Sequence, residues 1–152
     1  MMRIAAFVLS AVLLAPVPAP AQTQAPAQAQ TPAQREKAPD GARAYIIWPH
    51  DGAVIQGGKL WVRMGLQNMG LTPAGIRKPD AGHHHLLIDT ELKNLDEPIP
   101  NNKQNLHFGV GQTEARLELP PGRHTLQMVL GDADHVPHDP PVVSQKITII
   151  VP

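Results

Sequence analysis

Apolar residues alternate with polar ones in short runs, and the runs are separated by turns rich in proline and glycine. Leu60, Val62, Met64 and Leu66 interleave with Trp61, Arg63, Gly65 and Gln67, and Ala115, Leu117 and Leu119 interleave with Arg116 and Glu118. The same phase recurs in His124, Leu126, Met128 and Leu130, and in Ile147, Ile149 and Val151. A side chain that changes face at every residue is strand geometry with one face buried. No comparable stripe of helical period exists, so the chain reads as all-β.

Three further stretches, around Ala44 to Trp48, His84 to Asp89 and Leu106 with Phe108, complete the set. Strands are predicted at 44–48, 59–67, 83–89, 105–108, 113–119, 123–130 and 143–151, with turns such as Pro49-His50-Asp51-Gly52 and Pro120-Pro121-Gly122 between them. About seven short strands in a domain of this length point to an immunoglobulin-like antiparallel β-sandwich. His124 opens the sixth strand two positions ahead of a core residue, where such sandwiches often place a corner tyrosine. It therefore reads as structural, with a corner carbonyl as its hydrogen-bond partner.

Met1-Met2-Arg3, the apolar stretch Ile4 to Leu14 and the triplet Ala19-Pro20-Ala21 read as a secretory signal peptide over 1–21. That stretch is shorter than the roughly 20 apolar residues of a membrane helix, and no later one approaches it. Residues 22–40 are mostly Ala, Gln, Pro and Thr, too poor in apolar bulk to offset the entropy of ordering them, and read as a disordered linker. The remaining 41–152 suit one domain with a single core. The expected setting is periplasmic or secreted. With Cys 0 there is no disulfide and no thiolate metal site. A formal charge of +0 with interspersed signs does not resemble a nucleic-acid surface. Tyr45, Trp48, Trp61 and Phe108 are too few for a stacking platform. Nucleic acid and, after removal of the signal peptide, membrane are excluded as partners.

Histidine carries the chemistry. His83, His84 and His85 are consecutive, and His107, His135 and His138 follow. If strands run up and down in turn, all six fall at one end of the sandwich, while His50 and His124 fall at the other. His83 and His85 project together, and His84 shares the phase of Leu86 and Ile88. The 83–89 and 123–130 strands are neighbours in this fold, so the triple histidine can meet His135 and His138. His107 is expected on the opposite sheet, ~10 Å across the sandwich. Imidazoles without thiolates suit Zn or Cu as the bound ion, with Ni a further candidate and Met69 a soft donor that would favour Cu(I).

Other readings stand beside this one. The histidines can brace long loops in a structural or interaction module, or act by protonation, adding about eight positive charges as pH falls through ~6.5. A metal-dependent enzyme would use an open coordination position, with Glu114 or a loop aspartate carrying a proton. Nucleophilic catalysis lacks its residues: the mature chain has one serine, Ser144, outside any Gly-x-Ser-x-Gly turn, and there is no HExxH. The expected partners are a metal ion and another periplasmic protein, in metal storage, delivery or sensing.

The stretches Gly82-His83-His84-His85-Leu86-Leu87-Ile88-Asp89, His107-Phe108-Gly109-Val110-Gly111-Gln112-Thr113-Glu114, Pro121-Gly122-Arg123-His124-Thr125-Leu126 and His135-Val136-Pro137-His138-Asp139-Pro140-Pro141 resemble the bacterial domain-of-unknown-function family 4399. That resemblance implies an exported bacterial domain and carries no activity with it. It draws attention to Gln112, Thr113 and Glu114 as organisers of the histidine end.

Overall fold

A computed structural model describes residues 35–152; the stretch expected to be a signal peptide, 1–21, and residues 22–34 of the expected 22–40 linker lie outside them. Eight strands follow one another: β1 (Arg43–Trp48), β2 (Lys59–Gln67), β3 (Gly70–Leu71), β4 (Ala81–Ile88), β5 (Asn105–Phe108), β6 (Glu114–Glu118), β7 (Gly122–Gly131) and β8 (Ile147–Val151). The helical content described is a single 3-10 turn, Gln56–Gly58. No helix among the described residues is long and apolar enough to cross a membrane.

The strands form two sheets, β1-β2-β6 and β3-β4-β7-β8, with β5 also paired to β4, off that path. All the pairings are antiparallel except the short parallel contact of β3 with β4. Alternation explains the packing. Ala44, Leu60, Val62, Met64 and Leu117 from one sheet meet Leu86, Ile88, Phe108, Leu126, Met128, Leu130, Ile149 and Val151 from the other in one core. The fold is an all-β, immunoglobulin-like sandwich.

One placement differs from expectation and bears directly on the site. The 105–108 strand joins the sheet of β4 rather than the opposite one, pairing His85 with His107 and His84 with Phe108. The expectation that His107 sits across the sandwich is therefore corrected. Phe108 explains the choice: lying beside His84 on the inward face, it enters the main core, and that alternation turns His107 outward.

β4 is buried along its whole length. Its inward face meets the sandwich core, and its outward face lies under two loops. Leu87 and Val129 pack there against Ile99, Leu92 and Val143, while the backbone of Ile99 donates to the His135 carbonyl at 2.8 Å. A strand covered on both faces tolerates a near-continuous apolar run, here Leu86-Leu87-Ile88. The described chain begins along the second of these loops, where Ala38 donates to the Asp139 carbonyl at 2.9 Å and Arg35 Nε to the Pro137 carbonyl at 3.1 Å.

Candidate metal centre

Alternation along β4 sends His83 and His85 to the outward face, beneath the loops. The register then sets His107 of β5 directly opposite His85 and Gly131 of β7 opposite His83. The chain turns back immediately after Gly131, and the turn delivers His135. Asp132 builds that turn: buried, it accepts from the backbone of Asp134 at 2.8 Å and of Val136 at 2.9 Å through Oδ1. His135 takes φ 70°, a left-handed conformation uncommon outside glycine.

Four imidazoles converge as a result. The ring centroids of His83, His85, His107 and His135 lie between 4.8 and 5.8 Å from one another. One ring nitrogen each of His83, His107 and His135 falls within a common span of 4.8 Å. Nε2 of His83 and Nε2 of His85 are 3.0 Å apart. Glycines make the room. A Cβ on Gly131 would stand 3.0 Å from His85 Nε2, and one on Gly109 would stand 2.3 Å from His107 Cε1.

Electrostatics oppose protonation of three of the four rings, His83, His85 and His107. Burial, followed by the neighbouring imidazoles, lowers His83 from its ordinary value to about 4 and His85 to about 2. His107 is lowered by the same two causes in the same order. His84, lowered to about 4 by burial alone, faces the sandwich interior. Neutral imidazole is the form that binds metal. In the buried triplet these shifts oppose protonation. Nδ1 of His83, Nδ1 of His85 and Nε2 of His107 are buried and hydrogen-bond nothing. The carboxyl groups of the neighbourhood are engaged elsewhere: Asp134 pairs with Arg77, and Glu114, on the opposite sheet, lies 3.7 Å from Arg63.

Of the six histidines singled out by sequence, four meet in this cluster. The other two do not. His84 points inward beside Phe108 and Leu130, and His138 is buried at the inward side of Gly82, where a Cβ would lie 3.1 Å from its Cε1. Met69 packs against the main core. Gln112 folds back to accept from the Val110 backbone at 3.1 Å, and the Thr113 carbonyl accepts from Met64. His124 is structural: Nδ1 donates to Asp89 at 2.7 Å and Nε2 to the Pro120 carbonyl at 2.9 Å, so the ring spans the corner as an imidazolium. His50 is exposed, edge-on to Trp48. Sequence reasoning passed over Gly109, Gly131 and Asp132. The one signal available was Asp132 itself, an aspartate opening a polar turn, which suits an Asx turn.

Fold and site together define a small β-sandwich domain with a buried cluster of four histidines on the outward face of one sheet. The chain belongs to the family described as domain of unknown function (DUF4399), which matches residues 62–152 and so spans β3 to β8, most of β2 and all six histidines. A comparison with curated proteins gives no match. Among solved structures, the fibronectin(III)-like modules of Clostridium thermocellum CbhA are 12% identical, with 71% of this chain and 92% of that chain covered and a TM-score of 0.38. The sandwich assignment rests on the strand pairing, not on that likeness.

Proposed function

We propose that the domain binds one transition-metal ion, Zn or Cu, through His83, His85, His107 and His135, and serves in metal storage, delivery or sensing in an exported setting. The observation that carries this reading is the convergence of four imidazoles, two of them 3.0 Å apart through Nε2. Two nitrogens so close suit neighbouring ligands on one ion at bonds of about 2.0–2.1 Å. A donor set of nitrogens alone favours Zn(II), Cu(II) or Ni(II) over Mg(II) or Ca(II), which prefer oxygen. His107 and His135 are partly exposed while His83 and His85 are fully covered, so an ion enters and leaves on the side of the first pair. A bracing role would be supported by hydrogen bonds from these rings to loop carbonyls. Among the described residues, the hydrogen bonding of the four rings is limited to the His83–His85 contact.

Protein freed of metal by dialysis against a chelator and titrated with Zn(II) or Cu(II) is expected to take up about one equivalent, with His107→Ala and His135→Ala each weakening affinity by at least roughly 10-fold. Uptake below a tenth of an equivalent, or unchanged affinity in both variants, overturns the proposal.

A further inference from the structure

His84 and His138 are the two histidines of the chain's six-member set that the outward cluster leaves out, and each is more anomalous than any ring within it. Both are essentially inaccessible, at 0% and 1% exposure. Neither makes a hydrogen bond through either nitrogen. A buried polar group without a partner costs of order 1–3 kcal/mol, so four such nitrogens in one small domain call for a ligand.

Their placement brings them to the same region. Gly82 and His84 are two apart on β4 and share its inward face, about 6.7 Å apart along the strand. A Cβ on Gly82 would lie 3.1 Å from His138 Cε1 and 3.0 Å from Leu130 Cγ, and Leu130 is the cross-strand partner of His84. The His138 ring therefore reaches under the end of β7 onto the face that carries His84. The backbone there is fixed, since Arg35 bonds the carbonyls of both Pro137 and His138. Gly82 is what admits the ring, because any side chain at that position would occupy its place.

The surroundings select the ligand. His84 lies in register with Leu130 and Phe108, both members of the apolar core. Among the described residues, the group of three or more ligating histidine or carboxylate side chains is the outward one, so no third such donor joins this pair. Burying an ion costs in proportion to the square of its charge, so a monovalent ion incurs about a quarter of the penalty of a divalent one in the same apolar site. Zn(II) takes four ligands in structural sites. Two buried imidazoles with no third ligating side chain beside them match a soft monovalent ion content with two donors.

We infer that His84 and His138 form a second, inward-facing site that takes a single Cu(I) ion between their imidazoles. This site is independent of the outward cluster, which is open to divalent ions. The two therefore separate by stoichiometry and by variant.

The test uses the full metal-free chain, kept anaerobic and titrated with Cu(I) against a chromophoric Cu(I) chelator. Wild type is expected to hold about two equivalents, and His84→Leu with His138→Leu about one, since each of the two sites accounts for one ion. His83→Ala, His85→Ala, His107→Ala and His135→Ala together, which remove every ligand of the outward cluster, are also expected to retain about one equivalent. Loss of all Cu(I) in that second variant overturns the inward site while leaving the outward one standing. Two equivalents retained in the leucine variant overturn it as well. Imidazole 15N spectra of the wild type guard against misfolding of the variants. The nitrogens of His84 and His138 must shift on addition of Cu(I), and their failure to move at saturation refutes the site.

Discussion

A single missing methyl group at Gly109 decides where the His107 ring can stand. A Cβ there would lie 2.3 Å from Cε1 and 2.5 Å from Nε2 of that ring, well inside any real contact. Gly109 does not need a left-handed backbone, so alanine is not excluded by φ; what yields is the ring, the movable end of a partly exposed side chain. Gly109→Ala is therefore expected to leave the fold within about 0.5–1 kcal/mol of wild type while swinging one of four ligands out of the cluster. Zn(II) affinity is then expected to drop about 10–100-fold, the size of loss seen when a ligand is mispositioned rather than deleted. Urea unfolding and competitive Zn(II) titration of the same preparation measure the two quantities, and an alanine variant that binds as wild type would show that His107 is not a ligand.

At the scale of elements, the turn after β7 does what strands cannot: it returns a fourth imidazole over a sheet that supplies three. Asp132 holds this turn through backbone donors of Asp134 and Val136 while His135 occupies a strained left-handed position. Asp132→Ala leaves two buried or partly buried N–H groups to find other partners, at a cost of about 1–3 kcal/mol, and frees His135 to relax. The variant is expected to lose Zn(II) affinity by more than roughly 10-fold with the sheets intact by circular dichroism; undiminished affinity would mean that Asp132 does not position His135. Strands were legible in the sequence because alternation is local: the phase that sends His83 and His85 one way and His84 the other needs only neighbours along the chain. The partner of β5 was not legible, since it depends on how the aperiodic 89–104 segment folds back and on Phe108 choosing the core. The clearances at Gly109 and Gly131 were hidden for the same reason, because a glycine shows what it makes room for only once strands from distant parts of the chain are side by side.

For the whole molecule, the buried histidines set a steep acid limit. In an unfolded chain each would take a proton near pH 6.5, whereas the fold holds His83 and His84 down at about 4 and His85 at about 2. Above pH 6.5 both states are neutral and these rings cost nothing. As pH falls below that value the unfolded chain gains protons that the folded one refuses, so stability is lost at about 1.4 kcal/mol per pH unit for each ring and at most about 4 for the three together. The loss slackens near pH 4, where His83 and His84 begin to protonate in the fold. His124 runs the other way. Its hydrogen bond to Asp89 raises it, so its contribution is complete below pH 6.5 and fades as pH climbs through the raised value. Stability of the metal-free protein is thus expected to be greatest near neutrality, falling gently on the alkaline side and steeply between pH 6 and 4. Zn(II) at 100 times its dissociation constant is expected to add about 2.7 kcal/mol at pH 7. Urea midpoints measured at half-unit steps of pH check this, and His84→Leu, which removes one of the refusing rings, must lower the acid slope by about a third. A slope unaffected by that substitution, or a flat profile down to pH 4, would mean that the triplet is not held neutral by the fold.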